Sequence, residues 1–427
     1  SLMFSNLLIA VSTTVLNTAG PVIINELGDE KYYSWLFTIY MLSSTITVPI
    51  FGKLSDIYGR KKIFIIGLSM FIVSSLFAGL MNSMEWIVIF RLIQGIGAGA
   101  ILPTAGTIIS DLLDIEKRGK FQGYFSIIWG IAAFLGPLVG SFITEFFDWR
   151  CIFYVNFPLG LITLLLVLPY KENIQLSKEQ RINWGSAFIF SCAFFIILMS
   201  TIYLDYIIPL FLASGVFLYY FYKKDSRSTQ PFLSLNILKN KHLLFFNANT
   251  FLIFLALFGL ESFIPLFLQK TQGIGVLESG FILSGISLGW IVSSYPSGFI
   301  VNRFGYKKPI IMGNLIILLS TAPFLFYTEN TSILVTFCIL FIHGICYGLI
   351  QTTASIGSYE FATENEKGFA NSLQSFSRNI GTTLSLAFMG ILFYVNPFWM
   401  FQFSFYATLF AFLFSIFMLL LFYKKSN

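Results

Sequence analysis

One acidic residue, Glu261, stands in an apolar stretch that is long enough to cross a membrane. The stretch reads "FLIFLALFGLESFIPLFLQK" (251–270), and no other formally charged residue occurs between Lys241 and Lys270. A carboxyl group in such surroundings is costly, and it therefore suggests a function. It can hold a proton or pair with an organic cation, so the chemistry to expect is reversible ion binding.

Other polar side chains interrupt other apolar stretches. Arg91 and Gln94 lie in "RLIQGIGAGA" (91–100) and share one helical face. The remaining examples are Ser12, Thr13, Asn17, His343, Gln351 and Arg378. Loss of water favours the protonated form of a carboxyl group, whereas a nearby guanidinium favours the ionised form. We therefore predict that Glu261 couples transport to protons, with Arg91 adjusting its pKa and His343 as a second protonatable group.

Structural roles remain open for the same residues. Glu261 can be the permanent partner of an arginine, and Arg91 is close enough to a span end for its side chain to reach the surface. His343 can be a neutral core residue, and Arg378 in "SFSRNIGTT" can join helices or take part in coupling. The cysteines have neither CxxC nor zinc-ligand spacing, so we predict packing roles and no metal site.

The composition defines the environment of these groups. Of 427 residues, 56% are apolar, 11% are charged and 51 are Phe, whereas soluble domains carry about 25% charged residues. We predict an all-α polytopic membrane protein. Membrane topology accounts for the excess of Lys and Arg, so nucleic acid is not an expected partner. No signal-peptide pattern and no GxxxxGK[ST] loop occurs, so ATP is not the expected energy source.

Apolar runs of about 20 residues predict fourteen membrane-spanning helices. The predicted spans are 2–25, 32–53, 61–82, 85–111, 119–144, 150–169, 184–202, 206–222, 243–268, 278–301, 308–327, 332–356, 369–394 and 398–422. We group them as a six-helix bundle over 1–170, two inserted helices over 184–222 and a second six-helix bundle over 243–422.

Basic residues are distributed unevenly between alternate loops. One set of loops and the terminus after the last span hold 21 of the 26 Lys and Arg residues, the other set holds Lys31, Arg150 and Lys270, and Arg91 and Arg378 fall inside spans. Because positive charge marks the cytoplasmic side, we expect both termini in the cytoplasm and the protein in a bacterial plasma membrane.

The chain contains an internal repeat. "GKLSDIYGRKK" (52–62) follows the second span and "GFIVNRFGYKK" (298–308) follows the tenth, with Asn302 in the place of Asp56. The next loop on the same side also repeats, as "EKRGK" (116–120) and "NEKGF" (365–369). Two halves with matching loops are typical of secondary transporters.

At these motifs the whole chain resembles the major facilitator superfamily, and within it the fourteen-helix drug:proton antiporter branch. The resemblance rests on the loop at 52–62, on "RLIQGIGAGA", on "GIAAFLGPLVG" (130–140) and on "STTVLNTAGPVI" (12–23). Ser12 departs from the branch pattern, which usually has Asp there. The composition, rich in Phe, Ile, Asn and Lys, is typical of a low-GC bacterium such as a staphylococcus.

The resemblance implies roles for the motif residues. A latch at the cytoplasmic end would hold the halves in the outward-open state; its residues are Gly52, Asp56, Arg60 and Asp111. We expect Gly52 to allow close helix contact and Arg60 to pair with Asp111. Asp56 would accept hydrogen bonds from the backbone N–H groups at the start of a neighbouring helix. Small residues and a proline would pack the fifth span as a hinge or seal; these are Gly130, Gly136, Pro137 and Gly140. Plain charge topology and generic packing are the alternatives.

In this family the first and fourth helices of each half line a central cavity, here spans 1, 4, 9 and 12. We predict cavity roles for Ser12, Asn17, Gln94, Phe258, Glu261, Trp129, Trp290, His343 and Gln351. Phe254 and Phe263 are further aromatic candidates, because aromatic faces suit planar or cationic ligands.

The function that we predict is proton-coupled export of amphipathic or cationic drugs by alternating access. The expected substrates are amphipathic drugs or dyes, including quinolones and quaternary cations by resemblance, carried by a monomer without a cofactor. A flippase for lipids or lipid precursors is the alternative within transport, and an uptake symporter fits the antiporter motif less well. A non-transporting sensor or scaffold is the alternative outside transport. An intramembrane enzyme would need a catalytic cluster, and the sequence shows none.

Overall fold

The computed structural model describes residues 2–112, 115–170, 172, 183–200, 203–228, 231–232, 240–362 and 367–423. Within these helices the backbone alone is described at Asp56, 109–112, 115–127, Trp129, Leu198, Leu204, 367–369, 371–372 and 421–423. The described residues form α-helices and short 3-10 helices, with no β-strand among them.

The helices follow one another in the order expected of a polytopic membrane protein. They are α1 (Leu2–Thr14), α2 (Leu16–Leu27), α3 (Tyr33–Tyr58), α4 (Arg60–Leu80), α5 (Met84–Leu112), α6 (Ile115–Phe146), α7 (Cys151–Tyr154), α8 (Asn156–Val167), α9 (Trp184–Met199), α10 (Ile207–Asp225), α11 (Lys241–Thr271), α12 (Val276–Phe304), α13 (Lys307–Thr321), α14 (Ile333–Glu360), α15 (Lys367–Val395) and α16 (Trp399–Tyr423).

Each predicted span coincides with one helix or with two consecutive helices. The first span consists of α1 and α2, which meet at a bend of 48°, and the sixth consists of α7 and α8. Nine described helices are long and apolar enough to cross a membrane, and the bent pair gives a tenth candidate. Shorter apolar helices cover Gly130–Phe146, Cys151–Val167 and Trp184–Ile197. The predicted total of fourteen spans is reached when the bent pair, these three shorter helices and α10 are all counted as spans.

The chain divides into two compact units, Ser1–Ser234 and Leu235–Asn427. The first unit contains α1 to α10, and the second contains α11 to α16. The boundary falls within 223–241, one of the two long polar stretches of the sequence. The division into two bundles with a separate pair of inserted helices stays a prediction.

Specific contacts join α9 and the segment after α10 to α3 within the first unit. Trp35 on α3 packs edge-on against Phe195 on α9, with ring centroids 6.2 Å apart. Lys53 near the end of α3 donates to the Pro231 carbonyl at 3.3 Å. These contacts place α9 and α10 with the first unit.

The core of each unit is built from apolar helix faces. In the first unit the buried cluster includes Leu8, Phe64, Phe71 and Ile101 from α1, α4 and α5. In the second unit α11 is the central helix and packs against α12, α14, α15 and α16. Because α5 and α11 are surrounded by other helices, polar residues on their buried faces must find partners within the protein.

Candidate functional site

Arg91 is buried in the first unit, with 1% of its surface exposed. Its Nε donates to the Leu36 carbonyl at 2.9 Å, and one terminal nitrogen donates to Gln94 Oε1 at 2.8 Å. The guanidinium also lies over the Tyr40 ring, 4.2 Å from the centroid. Arg91 therefore points into the protein, and the alternative that its side chain reaches the surface is wrong.

Close approach of α3 and α5 creates this arrangement. A Cβ on Gly95 would clash with the Tyr40 carbonyl and the Ser43 hydroxyl, so a side chain there would force the helices apart. Gly95 follows Gln94 directly and places the polar face of α5 against the turn that carries Leu36 and Tyr40. The small residues of the "RLIQGIGAGA" motif thus explain how a buried Arg reaches a backbone carbonyl on the neighbouring helix.

Ser12 on α1 is the meeting point of this polar cluster. Its hydroxyl is contacted by Arg91 at 3.5 Å, by Gln94 Nε2 at 3.1 Å and by Asn156 Nδ2 at 3.5 Å. Asn156, at the start of α8, also donates to Ser75 Oγ on α4 at 2.9 Å. The cluster therefore joins five helices of the first unit.

The charge of Arg91 has no acidic partner in this cluster. Its hydrogen bonds and its ring contact all involve neutral groups, and no carboxylate pairs with it among the described residues of the first unit. Asn17, also predicted to line a cavity, is half-buried on α2. The first unit thus presents a buried cation held by neutral acceptors.

Glu261 on α11 is the buried charge of the second unit, with 8% of its surface exposed. Its carboxyl group interacts with the hydroxyl of Tyr347 on α14. The Tyr347 hydroxyl and Glu261 Oε1 are both buried, and neither has a hydrogen-bond partner within the usual distance and angle limits in the described structure. Among the described residues of the second unit, no basic side chain pairs with the carboxyl group. The carboxyl group therefore keeps acceptor capacity for a proton or another donor.

Aromatic rings pack on the same side of α11 as this carboxyl group. Phe254, Phe258 and Glu261 lie at i, i+4 and i+7 and so share a face of α11. Phe254 contacts Trp290 and Tyr347 at centroid distances of 6.4 and 5.0 Å. Trp290 and Tyr347 stack at 5.7 Å with their planes 17° apart. Carboxylate and aromatic faces together are the groups that attract organic cations.

Two glycines bring α12 and α14 together and so position Trp290 and Tyr347. A Cβ on Gly289 would clash with the Phe341 carbonyl, and a Cβ on Gly344 would clash with the Ile286 carbonyl. Since the obstructing atoms are backbone atoms, no side-chain rotation could relieve either clash. The stacked pair therefore depends on backbone contact between these two helices.

His343 is buried, but the structure places it in a different environment from Glu261. Its ring lies edge-on to Phe324 at 5.5 Å, and neither ring nitrogen has a hydrogen-bond partner in the described structure. Gln351, two turns further along α14, is half-buried and donates to Ser355 at 3.3 Å. Tyr347 between them, rather than His343, is the α14 side chain that meets the carboxyl group.

Arg378 lies on α15 and is half-buried. Gln374, one turn earlier on the same face, is buried, and both polar atoms of its side chain lack hydrogen-bond partners in the described structure. Further along α15, Ser385 Oγ accepts from the Gly259 backbone N–H of α11 at 2.8 Å.

The loop at 52–62 is fixed by a residue that the sequence analysis did not identify. The carboxylate of Glu172, just beyond α8, accepts from the backbone N–H groups of Arg60 at 2.6 Å and Lys61 at 3.2 Å. It thereby caps the N-terminus of α4, where an anion is favoured. Burial and then the Glu172 charge raise the pKa of nearby Tyr170, whereas Arg60 lowers it.

The predicted latch residues are described in part. The side chains of Asp56 and Asp111 lie outside the described structure, as does that of Trp129, so the predicted Arg60–Asp111 pair stays a prediction. Arg60 donates to the Thr107 carbonyl on α5 at 3.5 Å. A Cβ on Gly52 would meet no described atom within 4 Å. The expectation that Gly52 allows close helix contact stays a prediction.

Small residues of α6 contact the bend between α1 and α2. A Cβ on Gly136 would clash with Thr14, and one on Gly140 would lie 2.5 Å from the Val15 carbonyl. Thr18 Oγ1 also approaches the Pro137 carbonyl at 3.4 Å. Gly130 is half-buried on the same helix. This motif packs one helix against a bent neighbour and contributes no charged group.

Several residues of the two clusters escaped the sequence analysis. Tyr347 could have been found, because it lies at i+4 from His343 and at i−4 from Gln351. Tyr40 and Asn156 lie in runs without another functional signal, and the contribution of Leu36 is a backbone carbonyl. Such partners become visible only when the helices are packed.

Comparison with known proteins assigns the family. The family model described as Major Facilitator Superfamily matches residues 2–386 and 248–427. The chain belongs to the Major Facilitator Superfamily. This confirms the resemblance based on the motifs, and it makes the protein a multi-pass membrane transporter rather than an enzyme.

Relatives within the superfamily include two proteins of Bacillus subtilis strain 168. "Multidrug transporter protein MdtP" is 32% identical over 89% of this chain and 72% of its own length. "Multidrug resistance protein 3" is 32% identical over 91% of this chain and 78% of its own length. A point mutant of the nucleoside transporter NupG is a structural neighbour, with a TM-score of 0.69 over 98% of both chains. At 13% identity, NupG supports the superfamily fold alone.

Proposed function

We propose that this superfamily member exports amphipathic or cationic drugs in exchange for protons, by alternating access. The observation that carries the proposal is the Glu261 carboxyl group beside Tyr347, which packs with the rings of Phe254 and Trp290. In the second unit this acid has no basic partner among the described residues. It can therefore bind a proton at one stage and an organic cation at another.

The coupling follows from competition for one carboxyl group. An ionised Glu261 attracts a cation against the faces of Phe254, Trp290 and Tyr347. Protonation removes the charge, so the same site then holds the cation less well. If drug and proton occupy the site in turn, entry of a proton drives exit of a drug.

The energy of one proton is sufficient for useful export. Moving one charge through a potential of 100 mV is worth ~2.3 kcal/mol. Because each 1.4 kcal/mol is a factor of ten, one proton sustains a gradient of roughly forty-fold when no other charge crosses. No bound cofactor is needed for this mechanism.

The names of the relatives support drugs as the substrate class, since two of them are named for multidrug transport or resistance. We extend this to dyes, quaternary cations and quinolones. We place the working protein in the bacterial plasma membrane as a monomer. Both termini would lie in the cytoplasm, since the basic loops belong on that side.

Reconstitution of the pure protein in liposomes with an internal pH dye tests the proposal. Addition of tetraphenylphosphonium should move protons in the opposite direction, at a rate that saturates with cation concentration. Empty liposomes control for passive leakage. Cation uptake without proton movement would refute coupling. Failure of several cations and drugs, combined with movement of a fluorescent lipid between leaflets, would replace drug export with lipid transport.

A further inference from the structure

Three N–H donors converge on the hydroxyl oxygen of Ser12. They belong to Arg91, Gln94 and Asn156 and lie 3.5, 3.1 and 3.5 Å away. A hydroxyl oxygen offers two lone pairs. The donors therefore outnumber the acceptor sites, and two of the three contacts are at the limit of hydrogen-bond distance.

The polar cluster around Ser12 also carries the positive charge of Arg91, which no negative charge compensates among the described residues of the first unit. The recorded partners of Arg91 are the Leu36 carbonyl, Gln94, Ser12 and the Tyr40 ring, all of them neutral. The buried hydroxyl of Tyr40 is a further donor without a hydrogen-bond partner in the described structure. A buried charge is costly unless it is paired. A convergence of donors around such a charge is the arrangement that binds anions.

We propose that the Ser12 cluster binds a monovalent anion, either chloride or the carboxylate of a substrate. An anion beside Ser12 would accept from Arg91, Gln94 and Asn156 and supply the missing counter-charge. Ser12 has a short, neutral side chain. The cluster therefore lacks an acidic group that could accept hydrogen bonds from its N–H donors. This site lies in the first unit, and its test does not depend on proton exchange at Glu261.

Thermal unfolding of the purified protein in detergent tests the site without requiring transport. At constant ionic strength, replacement of gluconate by chloride should raise the unfolding midpoint by about 2 °C or more, because a ligand stabilises the state that binds it. Bromide should act similarly. If the wild-type midpoint responds neither to these halides nor to benzoate, the proposal is overturned.

Variants that supply an internal carboxylate locate the site. Ser12→Asp and Gln94→Glu each place a negative charge next to Arg91, so each should abolish the chloride shift. Gln94→Glu is nearly isosteric and decides the matter if Ser12→Asp does not fold. Ser12→Ala adds no charge and should retain the shift. A chloride shift that persists in both acidic variants, or that disappears in Ser12→Ala, would overturn the assignment.

A second arm distinguishes the two sources of the anion. In chloride-free solution, benzoate should raise the midpoint if an aromatic carboxylate fits the cluster, and benzamide, its neutral analogue, should not. A shift with chloride alone identifies the inorganic ion as the ligand. A shift with benzoate that Gln94→Glu removes identifies a carboxylate-bearing substrate. Equal shifts with benzoate and benzamide would show that charge plays no part. The claim that the cluster binds a carboxylate would then be overturned.

Discussion

Arg91 and Glu261 are both buried charges on central helices, but the two units surround them differently. Arg91 is held by a backbone carbonyl, an amide, a hydroxyl and an aromatic ring. Glu261 has the Tyr347 hydroxyl nearby and an oxygen without a hydrogen bond in the described structure. The first charge is therefore fixed by its surroundings, whereas the second remains able to change its partner. We therefore propose a structural and anion-binding role for Arg91 and proton exchange for Glu261.

The largest effect should come from Glu261→Gln, which removes the titrating group and retains nearly the same size. Exchange of a monovalent cation for one proton moves no net charge, so a pH gradient of one unit should sustain about tenfold accumulation in the wild type and none in the variant. Folding should be retained, since the change removes a costly buried charge. Accumulation of a fluorescent cation in liposomes measures the effect. The exposed Glu278, changed to Gln, is the matched control. If Glu261→Gln accumulates the cation as well as the wild type does, the proposed difference between the two units is wrong.

Gly289→Ala should give the next largest effect, because its new methyl group meets the Phe341 carbonyl of α14. Separation of α12 from α14 should lower the free energy of unfolding by about 2 kcal/mol and weaken cation binding by the Trp290–Tyr347 pair. Thermal unfolding and cation titration measure the two losses. Gly298→Ala on the same helix, where a Cβ meets no described atom within 4 Å, should show neither. Equal behaviour of the two variants would contradict the packing argument.

Arg91→Lys tests whether the first charge is a fixed structural group. Lysine keeps the charge but cannot reproduce the forked contacts with Leu36, Gln94 and Ser12. We expect a loss of about 1.5 kcal/mol in the free energy of unfolding. Proton exchange should survive in the fraction of protein that folds. Stability equal to that of the wild type, combined with loss of proton exchange, would transfer the coupling role from Glu261 to Arg91.

The smallest effect should come from Glu172→Ala at the start of α4. Loss of the cap on the Arg60 and Lys61 N–H groups should cost about 1 kcal/mol in the free energy of unfolding. Glu172→Gln keeps one acceptor oxygen and should lose less. Thermal unfolding ranks the three proteins. If Glu172→Ala and Glu172→Gln are equally stable, the carboxylate does not act as the cap of α4.

The helices and the buried polar positions at Arg91 and Glu261 could be predicted from the sequence, because apolar length and isolated polar residues are local signals. The partners of those charges were harder to predict. The spacing of Tyr347 from His343 and Gln351 could have identified it, but the Leu36 carbonyl has no residue-type signal. Glu172 lies more than a hundred residues from the helix that it caps. Such contacts depend on which helices become neighbours, and spacing along one helix does not contain that information.

His343 illustrates the same limit in the opposite direction. Its residue type suggested proton exchange, and its position on α14 is one turn from Tyr347. In the structure its neighbour is Phe324, and both ring nitrogens lack partners among the described residues. A part of His343 in coupling stays a prediction, and the structure adds only that its surroundings differ from those of Glu261.

Proton release on cation binding tests the central claim most directly. Purified protein in weakly buffered detergent solution is titrated with tetraphenylphosphonium while a pH dye records released protons. At a pH where Glu261 is protonated before binding, the wild type should release about one proton per bound cation, since both compete for that carboxyl group. Glu261→Gln should release none and bind the cation more weakly. Equal proton release by the variant and the wild type would place the exchanging group elsewhere and contradict the account.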